Sequence, residues 1–587
     1  MNATADRGRL LGNHGALSTP VVLAILFSLF SPAFAADDSQ EQKPLTYPSI
    51  VPILRNQWIG GDREDTETRL FGLIKGLLPE GSAIPMDLDK AIQLAMEQNL
   101  DLRAQSYTTR IAASEIDKAI GVFDTFLVSN FNHNTSRSPI SSQIQSEDTK
   151  FLRTNSTMAD VGLRKTIKTG SILELKLDLN RYTSNSTWLT LNPSFTSHLN
   201  FSVAQPLLRN GGIVFQSAPI SIARNLHLMS EDRLQAFVAE TLSAVIQAYW
   251  DLVFAFQNCE VREKSLGLAQ ELLHTSEVRV RLGSLAPVDL LQSKTGVALR
   301  EEELLKARYL LETAQDLLKD LLQLDATPIR SSVRIIPTET PPPPPPEETI
   351  DMEETIAQAV KNRAEHRALL KELETKNIQI KIAENQLLPS LDVTGRIGLN
   401  GLGGSPVPQR ELGFWEQAIY DLFNIPKPSE SPFGGGWERS FREMFSDEYY
   451  QYSAGIRFEM PLENTGAKAS YRKAKMESYK TIWSLRNLEQ KIILEVREAW
   501  RSLEVSRQRF LTSEATQHLA RQQLEAEEKR LSLGLSTNYQ VLKMEEDFRN
   551  SQTNSLMAKA DYWKAKARLH KACGVLLEKT GVSLDTL

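Results

Sequence analysis

Two hydrophobic patterns of different period share this chain. Between Ala467 and Arg530 there is neither proline nor glycine. Apolar residues recur there every three to four positions, which predicts a coiled-coil helix of about 96 Å, too long for a compact domain to enclose. The first half of the chain contains a second series of this kind: Leu242, Val245, Tyr249, Leu252, Phe256, Cys259 and Leu266.

Strict alternation of apolar and polar residues predicts strands at residues 199–203, 391–400 and 450–460. The pattern fits a half-buried strand of a soluble sheet, but strands of about ten residues with one apolar and aromatic face also fit a transmembrane sheet. Residues 161–180 alternate in the same way on either side of a turn at Gly170. This hairpin either extends the sheet beyond the membrane or adds two strands to it.

A glycine turn between two long helical patterns occurs twice, at Gly283 and at Gly534, about 250 residues apart. The partner helices after the turns are predicted at 287–324 and 538–573. Gln205-Pro206-Leu207 likewise recurs as Met460-Pro461-Leu462. A fixed order of segments used twice indicates a duplicated folding unit.

The N-terminal sequence predicts an export signal, and the charge and motif content argue against several classes of function. Arg7 and Arg9 precede the apolar run 21–30, and Ala33-Phe34-Ala35 ends it, which predicts a signal peptide; a membrane anchor is the alternative. The net charge of −6 gives no basic patch for nucleic acid. We find no HExxH, GxSxG or P-loop motif, so no enzyme, cofactor or metal site is predicted.

The two cysteines, Cys259 and Cys573, are expected to be buried and free. If the two glycine turns lie at one level, the thiols differ in height by roughly 22 Å along the helices. A disulfide requires Cα atoms within about 7 Å.

The order and spacing of these segments over about residues 86–575 resemble the TolC family of outer-membrane efflux proteins. The resemblance is carried by the signal peptide, the paired Gly-x5-Asp/Gln-x-Leu turns, the opening helix 88–119 with Ala91, Ile92, Ala95 and Asn99, the Leu388-Pro389-Ser390-Leu391 start of a strand, and the Gln205-to-Gly212 exit from another.

The resemblance implies an α+β, mainly α fold: long coiled-coil hairpins, and transmembrane strands that form a trimeric 12-stranded outer-membrane β-barrel, four strands from each chain, continued by a periplasmic α-helical barrel. The implied function is the exit duct of a tripartite efflux or type I secretion system in a Gram-negative cell envelope. The implied partners are two further copies, outer-membrane lipid, a periplasmic adaptor and an inner-membrane pump of the RND or ABC type. The alternative is an exported periplasmic coiled-coil scaffold or adaptor without a pore.

Domain bounds follow from the same reading. We expect a signal peptide at 1–35, an irregular N-terminal extension at 36–85, a first repeat at 86–330, a proline-rich linker at 331–349, a second repeat at 350–575 with an aromatic and glycine-rich insertion at 401–447, and a C-terminal tail at 576–587.

Two sets of residues are candidates for function. The resemblance places the glycine turns at the periplasmic entrance, and the candidate entrance and docking residues are Arg279, Arg281, Gly283, Asp289, Arg530, Gly534, Gln540 and Lys543. Gln540 and Lys543 replace an acidic ring that some family members have, and the arginines are equally explained as solvated helix ends. The predicted strand-to-helix turns contain Pro206, Gly211, Gly212, Pro461 and Gly466, because proline interrupts a strand ladder and glycine permits a turn.

Overall fold

The computed structural model describes residues 83–140, 150–186, 188–283, 286–324, 334–345, 351–407, 422, 431–446 and 448–583. The predicted signal peptide, residues 36–82 of the predicted extension and part of the predicted insertion lie outside these ranges.

Two long antiparallel hairpins dominate the described chain, as predicted. The first consists of α3 (Ile213–Arg281) and α4 (Pro287–Leu322), and the second of α8 (Thr465–Ser532) and α9 (Asn538–Ala572). Among the described helices, none combines the length and the hydrophobicity needed to cross a membrane.

Four shorter helices flank the hairpins, two in each repeat. They are α1 (Leu88–Gln98), α2 (Leu100–Ile120), α5 (Met352–Asn362) and α6 (Ala364–Asn385). The prediction of one helix over 88–119 was therefore wrong. Asn99 has extended backbone angles, and its side chain accepts from Leu102 N and donates to Leu321 O, so it ends α1 and caps α2.

A six-stranded antiparallel sheet lies at one end of these helices. Its strands, in spatial as well as chain order, are β2 (Thr125–Pro139), β3 (Phe151–Thr166), β4 (Ile172–Ser184), β5 (Leu191–Pro206), β7 (Ser390–Pro406) and β8 (Tyr450–Glu459). All three predicted strands and the predicted hairpin are present. The sheet has six strands instead of the four expected, because the hairpin β3–β4 pairs on both sides within it.

The main hydrophobic core lies around the middle of α3, where Leu242, Val245, Tyr249 and Leu252 are fully buried. The strands β1 (Ala83–Met86) and β6 (Arg334–Pro337) pair in parallel beside it. Two short α-helices, α7 (Trp437–Met444) and α10 (Leu576–Thr580), and a 3-10 helix between α2 and β2 (Gly121–Phe123) complete the described fold.

Candidate functional site

The glycines that follow the two long helices α3 and α8 have similar backbone conformations. Gly283 and Gly534 follow α3 and α8 with φ of +72° and +76°, in the left-handed region that favours glycine. Gly534 N donates to Leu531 O and Leu535 N donates to Arg530 O, which closes the end of α8. The duplicated glycine therefore marks a duplicated helix end.

The predicted entrance residues lie at these tips, and most of them are exposed to solvent. Arg281 and Arg530 are on the last turns of α3 and α8, where cations stabilise the helix dipole; Arg530 pairs with Glu527 at 3.2 Å. Gln540 and Lys543 lie on the first turns of α9. The exposed Arg279 also lies in the last turn of α3, and Asp289 lies in the first turn of α4.

A group of five charged side chains joins the two hairpins above their tips. We call it the inter-hairpin charge cluster; it consists of Arg262, Arg300, Glu303, Glu545 and Arg549. Arg300 Nη2 lies 3.0 Å from Glu545 Oε2, and Arg549 Nη2 lies 3.3 Å from Glu303 Oε2. Both bonds connect the first hairpin to α9 of the second.

Two arginines of the cluster, Arg300 and Arg549, are buried and share one hydroxyl as a hydrogen-bond acceptor. Ser265 Oγ accepts from Arg549 Nη1 at 2.7 Å and donates to Glu545 Oε1 at 3.0 Å. Only 7% of the Arg300 side chain and 5% of that of Arg549 are exposed, and burial lowers the pKa of Arg549. Sequence reasoning missed these residues, because a charged side chain on a helix carries no local sign of its burial.

The six-stranded sheet has one apolar and one polar face. Opposite residues on adjacent strands form a continuous apolar row: Leu127, Leu163, Leu175, Phe201, Ile397 and Tyr452. Phe201, Ile397 and Tyr452 are exposed in the single chain. This face needs a partner of low polarity.

The opposite face carries a hydrogen-bonded network. Lys176 Nζ lies 2.7 Å from Asp178 and 3.5 Å from Asp160. Asn130 donates to Asp160 at 2.8 Å, and Asn200 donates to Asp178 at 3.2 Å. Charges that are paired and hydrogen-bonded in this way suit a water-lined surface.

Four strand ends connect directly to helices: α2 to β2, β5 to α3, α6 to β7, and β8 to α8. Asn210 and Gly212 have positive φ at the β5–α3 junction, and Asn464 does so before α8. Gly211 and Pro206 are packed together, since a Cβ on Gly211 would lie 2.6 Å from Pro206 O. Pro461 follows the end of β8, but Gly466 lies within the first turn of α8 and not in a turn before it.

Helix α7, from the predicted insertion, packs on the apolar face of the sheet near the ends of β5 and β7. Ser197 Oγ lies 2.7 Å from Ser440 Oγ, and the rings of Phe195 and Trp437 are 5.0 Å apart. A Cβ on Gly401 would overlap Ser440 O, so only glycine permits this contact. The outward side of α7 carries the exposed Glu438–Arg442 ion pair.

The cysteines are free, as predicted, although Cys259 is only half-buried. Asn258 Oδ1 accepts from Thr553 Oγ1 at 3.3 Å, which places Cys259 level with residue 553. Cys573 lies 20 residues further along the chain (573 − 553), roughly 30 Å at the helical rise.

Residues 355–575 match the family model described as outer membrane efflux protein. No curated protein sequence matches the chain. The Campylobacter jejuni CmeC outer membrane channel is similar in structure, with a TM-score of 0.59 and 14% identity over 85% of this chain and 90% of that one. The open state of the Neisseria gonorrhoeae MtrE outer membrane channel gives 0.54 and 16% over 83% and 89%, and the Vibrio cholerae outer membrane protein VceC gives 0.55 and 16% over 83% and 96%. The predicted resemblance is confirmed.

Proposed function

We propose that this chain, which matches the outer membrane efflux protein family over residues 355–575 and shares the fold of solved outer-membrane channels, is the exit duct of a tripartite efflux or type I secretion system. Three copies close into one channel, with the strands in the outer membrane and the helical hairpins in the periplasm. A periplasmic adaptor and an inner-membrane pump, of the RND or ABC type, meet the hairpin tips. The duct itself catalyses no reaction, and the pump supplies the energy.

One observation carries this proposal: an amphipathic sheet continues directly into four helices. The ten residues of β8 match the length that a membrane-spanning strand needs. Between Leu391 and Gly401, where α7 begins to cover the apolar face, β7 rises by ten residues, about 25 Å for a tilted strand. That height matches the apolar band of an outer-membrane strand wall, so the partner of this face is outer-membrane lipid.

The edge strands of the sheet and two exposed apolar stripes on the helices support association with further copies. Within the described sheet, the outermost strands β2 and β8 each pair with one strand only. On α8, the exposed Trp483, Leu494 and Val505 recur every 11 residues, a spacing that keeps an apolar stripe nearly straight along a helix. On α4, Val288, Leu299 and Leu310 have the same spacing and are exposed as well. Each stripe is a candidate contact with a neighbouring copy, α4 nearer the tip and α8 nearer the sheet.

A pair of adjacent substitutions tests the proposal. Phe201 lies on the apolar face of β5 and Ser202 on its polar face. Phe201→Lys introduces a charge near the bilayer midplane, at a cost of about 2–4 kcal/mol per copy. Ser202→Lys places the same charge between Glu174 and Arg396, the residues opposite it on the neighbouring strands.

The expected result is that Phe201→Lys lowers the amount of detergent-stable trimer in the outer membrane and reduces export, while Ser202→Lys does neither. Deletion of the gene abolishes export. The alternative function, a periplasmic scaffold, predicts protein that carbonate extracts from membranes and equal tolerance of both substitutions, since Phe201 is exposed in the single chain.

A further inference from the structure

We propose that hairpin β3–β4 forms part of the transmembrane wall, so that the assembled outlet has 18 strands, six from each of three copies, and is correspondingly wide. This inference rests on the proposed function, which supplies the three copies and the membrane. It concerns the size of the solutes that leave the channel.

The first argument is the height of the hairpin. Its turn lies against the β5–α3 junction, where Gly212 N donates to Thr169 O at 3.1 Å. Gln205 Nε2 also donates to Thr169 O at 3.2 Å, and a Cβ on Gly170 would lie 3.0 Å from Asn210 O. The hairpin therefore reaches the level at which neighbouring strands become helices, and it does not stand above the membrane.

The second argument is that both faces of the sheet continue across the hairpin. Leu175 lies between Leu163 and Phe201 on the apolar face, and Leu177 lies between Val161 and Leu199. On the polar face, Lys176 pairs with Asp160 across the β3–β4 contact. A hairpin folded away from the wall would break both rows.

The third argument is strand polarity. With six strands in antiparallel order, β2 and β8 run in opposite directions. The β8 edge of one copy can therefore meet the β2 edge of the next in an antiparallel ladder. Two inserted strands preserve this relation, whereas one inserted strand would not.

The size of the outlet follows from the strand number. With strands about 4.8 Å apart and tilted by about 40°, 18 strands have a circumference of roughly 113 Å and a backbone radius of about 18 Å, against about 12 Å for 12 strands. Twelve helices at interaxial distances of 8–10 Å have a circumference of roughly 96–120 Å. The wider wall therefore continues the helical tunnel without narrowing it.

The first experiment counts strands directly. Electron cryomicroscopy of the natural chain, purified from outer membranes, is expected to show 18 strands in a trimer. A trimer of 12 strands with the hairpin outside the wall would overturn this inference and leave the proposed function intact. Protein that forms no membrane trimer would overturn the proposed function itself.

The second experiment measures the opening. A Ser202→Cys variant, with Cys259→Ser and Cys573→Ala to remove the natural thiols, presents one thiol on the polar face of β5. Intact cells are labelled with maleimide-polyethylene glycols of graded size. The matched control replaces residues 141–187 with a short turn, so that β2 pairs with β5 and the antiparallel order is kept.

We expect the radius of the largest polymer that reaches the introduced thiol to be at least about 1.5-fold larger in the full chain than in the shortened one, because the backbone radii follow the ratio of strand numbers and side chains narrow both openings by the same length. Equal cut-off sizes would overturn the inference. If the shortened chain does not assemble, the strand count of the natural chain decides the question.

Discussion

The inter-hairpin charge cluster gives a sharp prediction for Glu545→Gln. This substitution keeps the shape of the side chain and removes one of two negative charges, so that Glu303 alone faces Arg262, Arg300 and Arg549. Only 7% of the Arg300 side chain is exposed, and water cannot replace the lost carboxylate. Removal of one partner from a buried ion pair lowers the stability of the folded state by about 3–5 kcal/mol. Because the amide oxygen of Gln still accepts a hydrogen bond, we expect a loss of about 3 kcal/mol.

Hydrogen–deuterium exchange measures this cost where it arises. Since 1.4 kcal/mol corresponds to a factor of ten, amides of α3, α4 and α9 around Ser265, Arg300 and Glu545 will exchange roughly 100-fold faster, while those of the distant β sheet will not change. Glu302→Gln is the matched control. Glu302 lies on the same turn of α4 but pairs with Lys306 in solvent, so its substitution is expected to have no measurable effect.

A double substitution distinguishes loss of the Arg300–Glu545 interaction from unrelated effects of each substitution on stability. Arg300→Met combined with Glu545→Gln removes both charges of the pair, so neither charge is left buried without its partner. The double variant is therefore expected to be less destabilised than the sum of the single ones. If Glu545→Gln exchanges no faster than Glu302→Gln, the cluster does not hold the hairpins together.

Three further substitutions or measurements test other contacts. Gly401→Ala will raise the rate of hydrogen exchange in residues 437–444 at least about 10-fold, because the added Cβ overlaps Ser440 O. Gly395→Ala is the control, since Gly395 lies on the same face with open space around it, and it will not change this rate. Equal effects of the two substitutions would contradict the docking of α7. Burial raises the pKa of Cys573 to about 11, so iodoacetamide will react slowly below about pH 10; the fold favours the neutral thiol, and this contribution to stability is lost as pH rises from about 9 to about 11. Reaction at pH 8.5 as fast as in the urea-unfolded chain would refute that. Asn99→Ala is expected to cost about 1 kcal/mol in unfolding experiments, with partial recovery in Asn99→Asp, which keeps the helix cap but loses the bond to Leu321 O.

The sequence predicted best those features that rest on patterns sustained over many residues or repeated in both halves of the chain. The prolonged heptad pattern of 467–530 and the two glycine turns determine the hairpins within a few residues, because local propensity and packing agree there. The break at Asn99 was missed because α1 and α2 have continuous helical composition, and Asn99 combines a helix cap on Leu102 N with a long-range bond to Leu321 O that the sequence does not reveal. Strand β2 was not located, since its outer half, from Asn132 to Pro139, is almost entirely polar.

The two copies of the repeat differ because they occupy different positions in the structure. Helix α3 packs against α2, α4, α6 and α9, and its seam residues Leu242 and Tyr249 are fully buried within one chain. Helix α8 has α9 and α6 as its main neighbours, and its apolar residues Trp483 and Leu494 remain exposed. If the second repeat only reproduced the packing of the first, these apolar residues of α8 would be buried within the chain. In the proposed trimer, the apolar stripe on α8 therefore contacts a neighbouring copy, and at the membrane end α8 connects to β8, whose unpaired edge meets the same copy.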